Sequence, residues 1–133
     1  MDLLVTHPVK KSDLGFHGNL FGGKLLSWID AALAAYAMEK CHTQNMITVS
    51  IDECVFKKPA KEKQLVKIYA EIIKIGNTSA KFKIEARAFN VFRGDEVVIL
   101  ATNMTFVRVD EEGVPIPISE QVKRMFKTPE DRL

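Results

Sequence analysis

From Lys24 to Met38 apolar residues occupy 12 of 15 positions, and five of them are alanines, at 31, 32, 34, 35 and 37. Ala-rich composition favours helix over strand, so the run predicts one helix over about residues 22–40. A helix that is apolar nearly all round belongs inside something rather than on a surface with one wet face. Further along, the period drops to two. Ile47, Val49, Ile51 and Val55 alternate with Thr48, Ser50 and Asp52, which predicts a half-buried strand over Met46–Phe56. Val66, Ile68, Ala70 and Ile72 mark a second strand over Leu65–Ile75. In a third, Thr78–Phe89, the residues Ala80, Phe82, Ile84, Ala86 and Ala88 face inward while Lys81, Lys83, Glu85 and Arg87 face out. Val97–Val107 is apolar on both faces at its start, as in a central or interface-covered strand. Gly76-Asn77 predicts a two-residue hairpin turn with positive φ, and Phe92–Asp95 a second hairpin. With a short strand at Leu3–Val5, the order is strand, long helix, then four strands. That order is α+β: one central helix cradled by a curved antiparallel sheet of about five strands. A single sheet covers one side of such a helix, so the remaining side calls for another subunit.

The end of the chain is simpler. Asp110–Gly113 reads as a turn, Pro115 and Pro117 block regular structure, and Ser119 is placed to cap a short helix burying Val122, Met125 and Phe126. The domain is expected over 1–110, with 111–133 as a tail.

At 133 residues, 47% apolar and 27% charged, the chain suits one globular domain with a real core. A net charge of +2 and 8% aromatic residues give no footprint of a nucleic-acid or membrane partner. The longest apolar run, Leu25–Met38, is interrupted by Ser27 and Asp30 and falls short of the roughly 20 residues that span a bilayer. The opening MDLLVTHPVKKSD lacks the plan of a secretory signal, and a cytoplasmic protein is expected. Cys41 and Cys54 have neither CxxC spacing nor histidines at ligand intervals, so two reduced thiols, no disulfide framework and no structural metal are expected.

Candidate chemistry starts at Asp30, the one carboxylate between Trp28 and Met38. A carboxylate in apolar surroundings must be solvated, paired or useful. Lys24, Ser27 and Asp30 are spaced by three, so a water-facing stripe is one reading. Leu33, Ala34 and Ala37 continue that side, and such small residues permit close approach of a backbone or a narrow ligand. Just upstream, four of the seven glycines (15, 18, 22 and 23) crowd into nine residues. The run His17-Gly18-Asn19-Leu20-Phe21-Gly22-Gly23 feeds straight into the helix, whose first N–H groups and positive dipole end suit an oxyanion forming on a carbonyl. Equally, a Gly-Gly pair before a helix reads as a turn and Asn19 as a local cap.

The run HGNLFGGKLLSWIDAALAAYA and the later ITVSIDECVFKKPAKEKQLVKIYAEIIKIGNTSAKFKIEARAF resemble the hotdog-fold acyl-CoA thioesterases, specifically the bacterial acyl-CoA hydrolase group related to cytosolic acyl-CoA thioester hydrolases. The likeness spans about residues 3–110, and its most specific part is Gly-Asn-x-Phe-Gly-Gly with Asp seven residues after the second glycine of the pair. Phe56-x-x-Pro59 and Gly76-Asn77-Thr78-Ser79 fit as well. The resemblance implies hydrolysis of an acyl-CoA to free acid and CoA, with Asp30 as general base or nucleophile and Asn19 positioning the carbonyl or water. It implies that a backbone N–H at Gly22 or Gly23 polarises the carbonyl, and that coenzyme A enters only as part of substrate and product. Lys58 and Thr78-Ser79 are implied contacts for the CoA arm, and His17 shapes the loop or touches substrate. It implies a homodimer with sites at the interface, Asp30 and the completing loop coming from different subunits, and assembly to a hexamer as a trimer of dimers.

Elementary chemistry agrees with a single carboxylate. A thiolate leaves near neutral pH with little protonation, so an activated water and an oxyanion site suffice, and no Ser-His-Asp set is needed among His7, His17 and His42. Two lysine groups are candidates for the CoA phosphates: Lys57, Lys58, Lys61 and Lys63 in one loop, and Lys81, Lys83 and Arg87 on one strand. The alternative is a non-catalytic acyl-CoA-binding hotdog module, which would not need Asp30. A dehydratase would need a His–acid pair, for which His17 is the one nearby histidine.

Overall fold

The computed structural model describes residues 1–126; positions 127–133, the end of the expected tail, lie outside the described residues. Strand β1 (Asp2–Pro8) leads through a 3₁₀ turn and the glycine loop into helix α1 (Gly22–Cys41). Strands β2 (Met46–Ile51), β3 (Val55–Phe56), β4 (Leu65–Ile75), β5 (Ser79–Asn90) and β6 (Asp95–Arg108) follow, and a short helix α2 (Glu120–Met125) comes after them. All pairings are antiparallel, in the order β1-β4-β5-β6-β2, with β3 attached to β6 beside β2.

The sheet bends around α1 for reasons visible in its inner face. Ala70, Ala80, Ala86 and Ala88 are buried there beside Ile68, Phe82, Ile84, Leu100, Met104 and Phe106, so small side chains leave room for the helix to approach. Register shifts in every long pairing add local curvature. From the helix come Leu25, Ile29, Leu33, Tyr36, Ala37 and Cys41. Phe82 is the centre of an aromatic group, meeting Tyr36 and Phe106 edge-on with centroids 5.8 Å apart in both cases.

Several expectations change. The strand expected over Met46–Phe56 breaks at Asp52–Cys54, giving six strands in place of five. The buried Thr102 hydroxyl donates toward the carbonyls of Asp52 and Glu53, 3.2 Å from each, and so holds the break. Ile47, Val49 and Ile51 do not enter the core: they stand 46–52% exposed, because Met46 and Thr48 take the inward side of β2 and nothing covers the other side in one chain. The turn between β4 and β5 has three residues and no positive φ at Gly76 or Asn77. Glycine leaves room there for the Ser79 hydroxyl, since a Cβ on Gly76 would lie 2.8 Å from Ser79 Oγ. At the second hairpin Gly94 does take φ 75°. Met125 is 55% exposed, whereas Val122 enters the core and Phe126 packs on it. Leu33 and Ala37 are buried, so the open side of α1 runs instead through Ser27, Ala31 and Ala35. Toward that end the helix joins a core that Ile118 and Val122 also enter.

Candidate active site

Phe21 is the N-cap residue of α1 and supplies no side-chain cap. The first intrahelical bond runs from the Leu25 N–H to the Phe21 carbonyl. Among the described residues no acceptor meets the N–H groups of Gly22, Gly23 or Lys24, which leaves donors free at the positive end of a 20-residue helix. Both glycines let an aromatic ring pack close to the backbone. A Cβ on Gly22 would lie 3.2 Å from the Phe56 ring, and one on Gly23 would lie 2.9 Å from the Phe21 ring. The two half-exposed rings thus flank the donors, so the open approach expected at Gly22-Gly23 is lined with aromatic edges.

The glycine loop folds back on itself before the helix. Gly15 N–H donates to the Asn19 carbonyl at 2.7 Å, Gly18 sits at φ 79°, and Leu20 N–H reaches the Ala60 carbonyl at 2.8 Å. This last bond ties the loop to residues 57–60. Between the two lies a cavity of about 530 Å³ whose floor is the buried Leu25, Ala60 and Ile99. His17, Asn19, Gly22 and Lys58 line it together. The fold therefore assembles four of the expected site residues in one hollow, with an apolar floor and a basic rim.

Asp30 is elsewhere. It lies eight residues along α1 from Gly22, about 12 Å up the axis, and does not line that cavity. Its Oδ1 accepts a 2.8 Å hydrogen bond from the Thr48 hydroxyl on β2. Lys24, Ser27 and Asp30 are all exposed in a single chain. Thr48 was not among the residues singled out from the sequence. Its polar position in the alternation was visible, but its contact with Asp30 depends on how β2 lies across the helix. Thr78 and Ser79 sit at the opposite end of β5 from the Lys58 loop, and Ser79 Oγ is turned over Gly76. One chain thus gathers His17, Asn19, Gly22 and Lys58, and leaves Asp30, Thr78 and Ser79 apart from them.

The two basic groups differ only in part, since among the described residues Lys83, like the loop lysines, makes no ion pair. Lys81 pairs with Asp52 at 3.1 Å, and Arg87 with Glu85 and Glu96 at 2.6 and 2.8 Å. Among the described residues, Lys57, Lys58, Lys61 and Lys63 make no ion pair. No group of three metal-ligating side chains occurs among the described residues, and none of the helices described is long and apolar enough to cross a membrane. Both thiols are free; burial pushes that of Cys41 up to about 11.

Comparison with known proteins extends this picture. Residues 17–91 match the family model described as the thioesterase superfamily. The acyl-CoA thioester hydrolase of Salmonella typhimurium is 30% identical over 123 residues, which cover 90% of this chain and 92% of that protein. Among solved structures, a hexameric hotdog fold thioesterase of Campylobacter jejuni superposes with a TM-score of 0.82 at 31% identity, over 94% of this chain and 96% of that one. An acyl-CoA hydrolase from Staphylococcus aureus, solved with butyryl coenzyme A and coenzyme A, gives a TM-score of 0.78 at 27% identity, covering 96% and 81%. The helix-in-sheet plan of this chain is thus the hotdog fold.

Proposed function

The chain belongs to the thioesterase superfamily, and from that premise we propose that it hydrolyses acyl-CoA thioesters to a free carboxylic acid and CoA. The observation that carries the reading is Asp30: a carboxylate on the central helix, held by Thr48, on a side of the fold that a single chain leaves open. In the proposed reaction the thioester carbonyl oxygen lies against the free N–H groups at Gly22 and Gly23, where the negative charge of the tetrahedral intermediate is stabilised. Asn19 positions the carbonyl or the attacking water. Asp30 either takes a proton from that water or attacks the carbonyl carbon itself. The C–S bond then breaks, and CoA leaves as a thiolate that is protonated by solvent. In the second case water then hydrolyses the mixed anhydride left on Asp30, releasing the acid and restoring the carboxylate.

Because Asp30 and the glycine-loop cavity lie apart in one chain, the proposed working unit is a homodimer whose β2 edges and open helix faces meet. Asp30 of one subunit then joins the loop of its partner. The hexameric assembly of similar proteins supports a trimer of such dimers. A cytoplasmic setting belongs to the same proposal. The direct test is thiol release from saturated acyl-CoAs of C2 to C16 and an aryl-CoA, by the native protein and by Asp30→Ala, with size-exclusion elution of both. Hydrolysis by the native protein, and a loss of about 10²-fold or more in an equally assembled variant, is the expected result. Binding of acyl-CoA without hydrolysis by either protein would make the chain a binding module instead.

A further inference from the structure

Among the described residues Asp13 is the one buried charged side chain, 3% exposed, and the proposed chemistry does not use it. Its polar groups reach three neighbouring segments. The backbone carbonyl accepts the Phe21 N–H at 3.0 Å and, with the bond from Gly15 N–H to the Asn19 carbonyl, closes the glycine loop at its base. Oδ2 of the carboxylate accepts the Lys10 N–H at 2.9 Å, just past the end of β1. Oδ1 lies 3.7 Å from Lys24 Nζ, in the first turn of α1. The stripe expected of Lys24, Ser27 and Asp30 is thereby split: Lys24 is drawn to Asp13, and Asp30 is held by Thr48 instead. A neutral acceptor would serve the Lys10 N–H equally well, and one main-chain N–H with an ammonium beyond hydrogen-bond distance is poor compensation for a buried charge. What only the charge supplies is the hold on Lys24, a cation that the positive end of the helix otherwise disfavours. Lys24 directly follows the free N–H groups of Gly22 and Gly23.

We infer that Asp13 is a positioning residue of the thioesterase site: through Phe21 and Lys24 it braces the first turn of α1 against the glycine loop, so that the Gly22 and Gly23 donors and Asn19 keep one relative placement. The inference rests on the acyl-CoA reading and deepens it. Asp13 does not line the cavity of about 530 Å³, so it acts through the residues that do. Donors aimed at a developing oxyanion work by being held in place beforehand, and a misplacement of about 1 Å in such a site costs on the order of 10²-fold in rate. Loosening the brace therefore acts on the transition state and leaves substrate binding as it was.

The test measures kcat and KM, for one saturated acyl-CoA that the native protein hydrolyses, on Asp13→Asn, Lys24→Met and the double variant, with size-exclusion elution of each. Asp13→Asn keeps an acceptor for the Lys10 N–H and removes the charge. Each single variant is expected to lower kcat about tenfold to a hundredfold with KM within about twofold of native. The double variant falls no further than the lower of the two, since both substitutions remove the same brace. Unchanged kcat in either single variant, a loss carried by KM, or losses that multiply in the double variant would each overturn the inference. Should Asp13→Asn fail to assemble, Lys24→Met decides alone, because its side chain is 45% exposed: a fall in kcat at fixed KM upholds the inference and an undiminished kcat overturns it. If the native protein cleaves no thioester, the thioesterase reading fails first, and amide exchange decides for the brace. Faster deuterium uptake by Lys24→Met over residues 14–25, with β5 unchanged, upholds it, and unchanged uptake there overturns it.

Discussion

The 2.8 Å bond from the Thr48 hydroxyl to Asp30 Oδ1 joins a strand to the helix it lies across. A hydrogen bond to an ionised carboxylate is worth about 1.5–3 kcal/mol, and it fixes which oxygen is free to act. Thr48→Val keeps the shape and removes the donor. Its expected effect is a fall in kcat of roughly tenfold to a hundredfold, with Thr48→Ser retaining most of the rate. Undiminished kcat in the valine variant would reduce Thr48 to a packing residue. A second residue speaks to stability. Burial raises the Cys41 thiol from 9.0 to about 11, so the folded state holds the neutral thiol more firmly than the unfolded chain does. That contribution is complete below pH 9.0 and is lost as pH rises toward about 11. Burial, helped by the hydrogen bond to Asp2, raises the Tyr36 hydroxyl in the same direction. Thermal unfolding followed from pH 8 to pH 11 should therefore show a falling Tm, and Cys41→Ala should flatten the part of that fall beginning near pH 9.

Elements were legible where one face alone decided the pattern. The alternation from Ala80 to Ala88 matched a strand with one face in the core, and the alanines of α1 marked the helix within a residue or two of its bounds. Where the deciding partner lay far along the chain, the pattern misled. The break after Ile51 depends on Thr102, some 50 residues away, and the exposure of Val49 depends on nothing covering the outward side of β2 in one chain. The site followed the same rule. His17, Asn19 and Gly22 sit close together in sequence and share a cavity, whereas the pairing of Asp30 with Thr48 needed the fold. The segment after β6 shows a further dependence on distant partners. Ile118 is buried and its N–H bonds to the Asn77 carbonyl at 2.8 Å; Ser119 Oγ accepts from Val122 N–H, and Lys123 Nζ donates to Asn77 Oδ1 at 2.8 Å. Far from an appendage, this segment locks the β4–β5 turn. Ile118→Ala is expected to destabilise the fold by about 2–5 kcal/mol and Ser119→Ala by about 1 kcal/mol, read from urea unfolding. Values near zero for both would mean that the segment only rests on the surface.

At the scale of the molecule, the uncovered features lie together. β2 bonds β6 along one edge and has no strand on the other among the described residues, Ile47, Val49 and Ile51 stand half exposed on it, and Asp30 lies beside it on the open side of the helix. A free strand edge with apolar side chains invites pairing, and a second copy across a two-fold axis supplies the same edge in return. Such a dimer would carry Asp30 of each subunit toward the glycine loop of the other, bridging what the roughly 12 Å along α1 separates within one chain. The arrangement has a consequence that a site built within one chain does not share. Asp30→Ala and Asn19→Ala, each inactive alone, are unfolded and refolded together. In a mixed dimer one site then carries both substitutions and the other carries neither, so random pairing returns about a quarter of the native activity. If Asp30 and Asn19 of the same chain work together, every site in the mixture keeps one defect and no activity returns. Assaying the refolded mixture against each variant refolded alone distinguishes the two, and recovered thioesterase activity would identify the dimer as the catalytic unit.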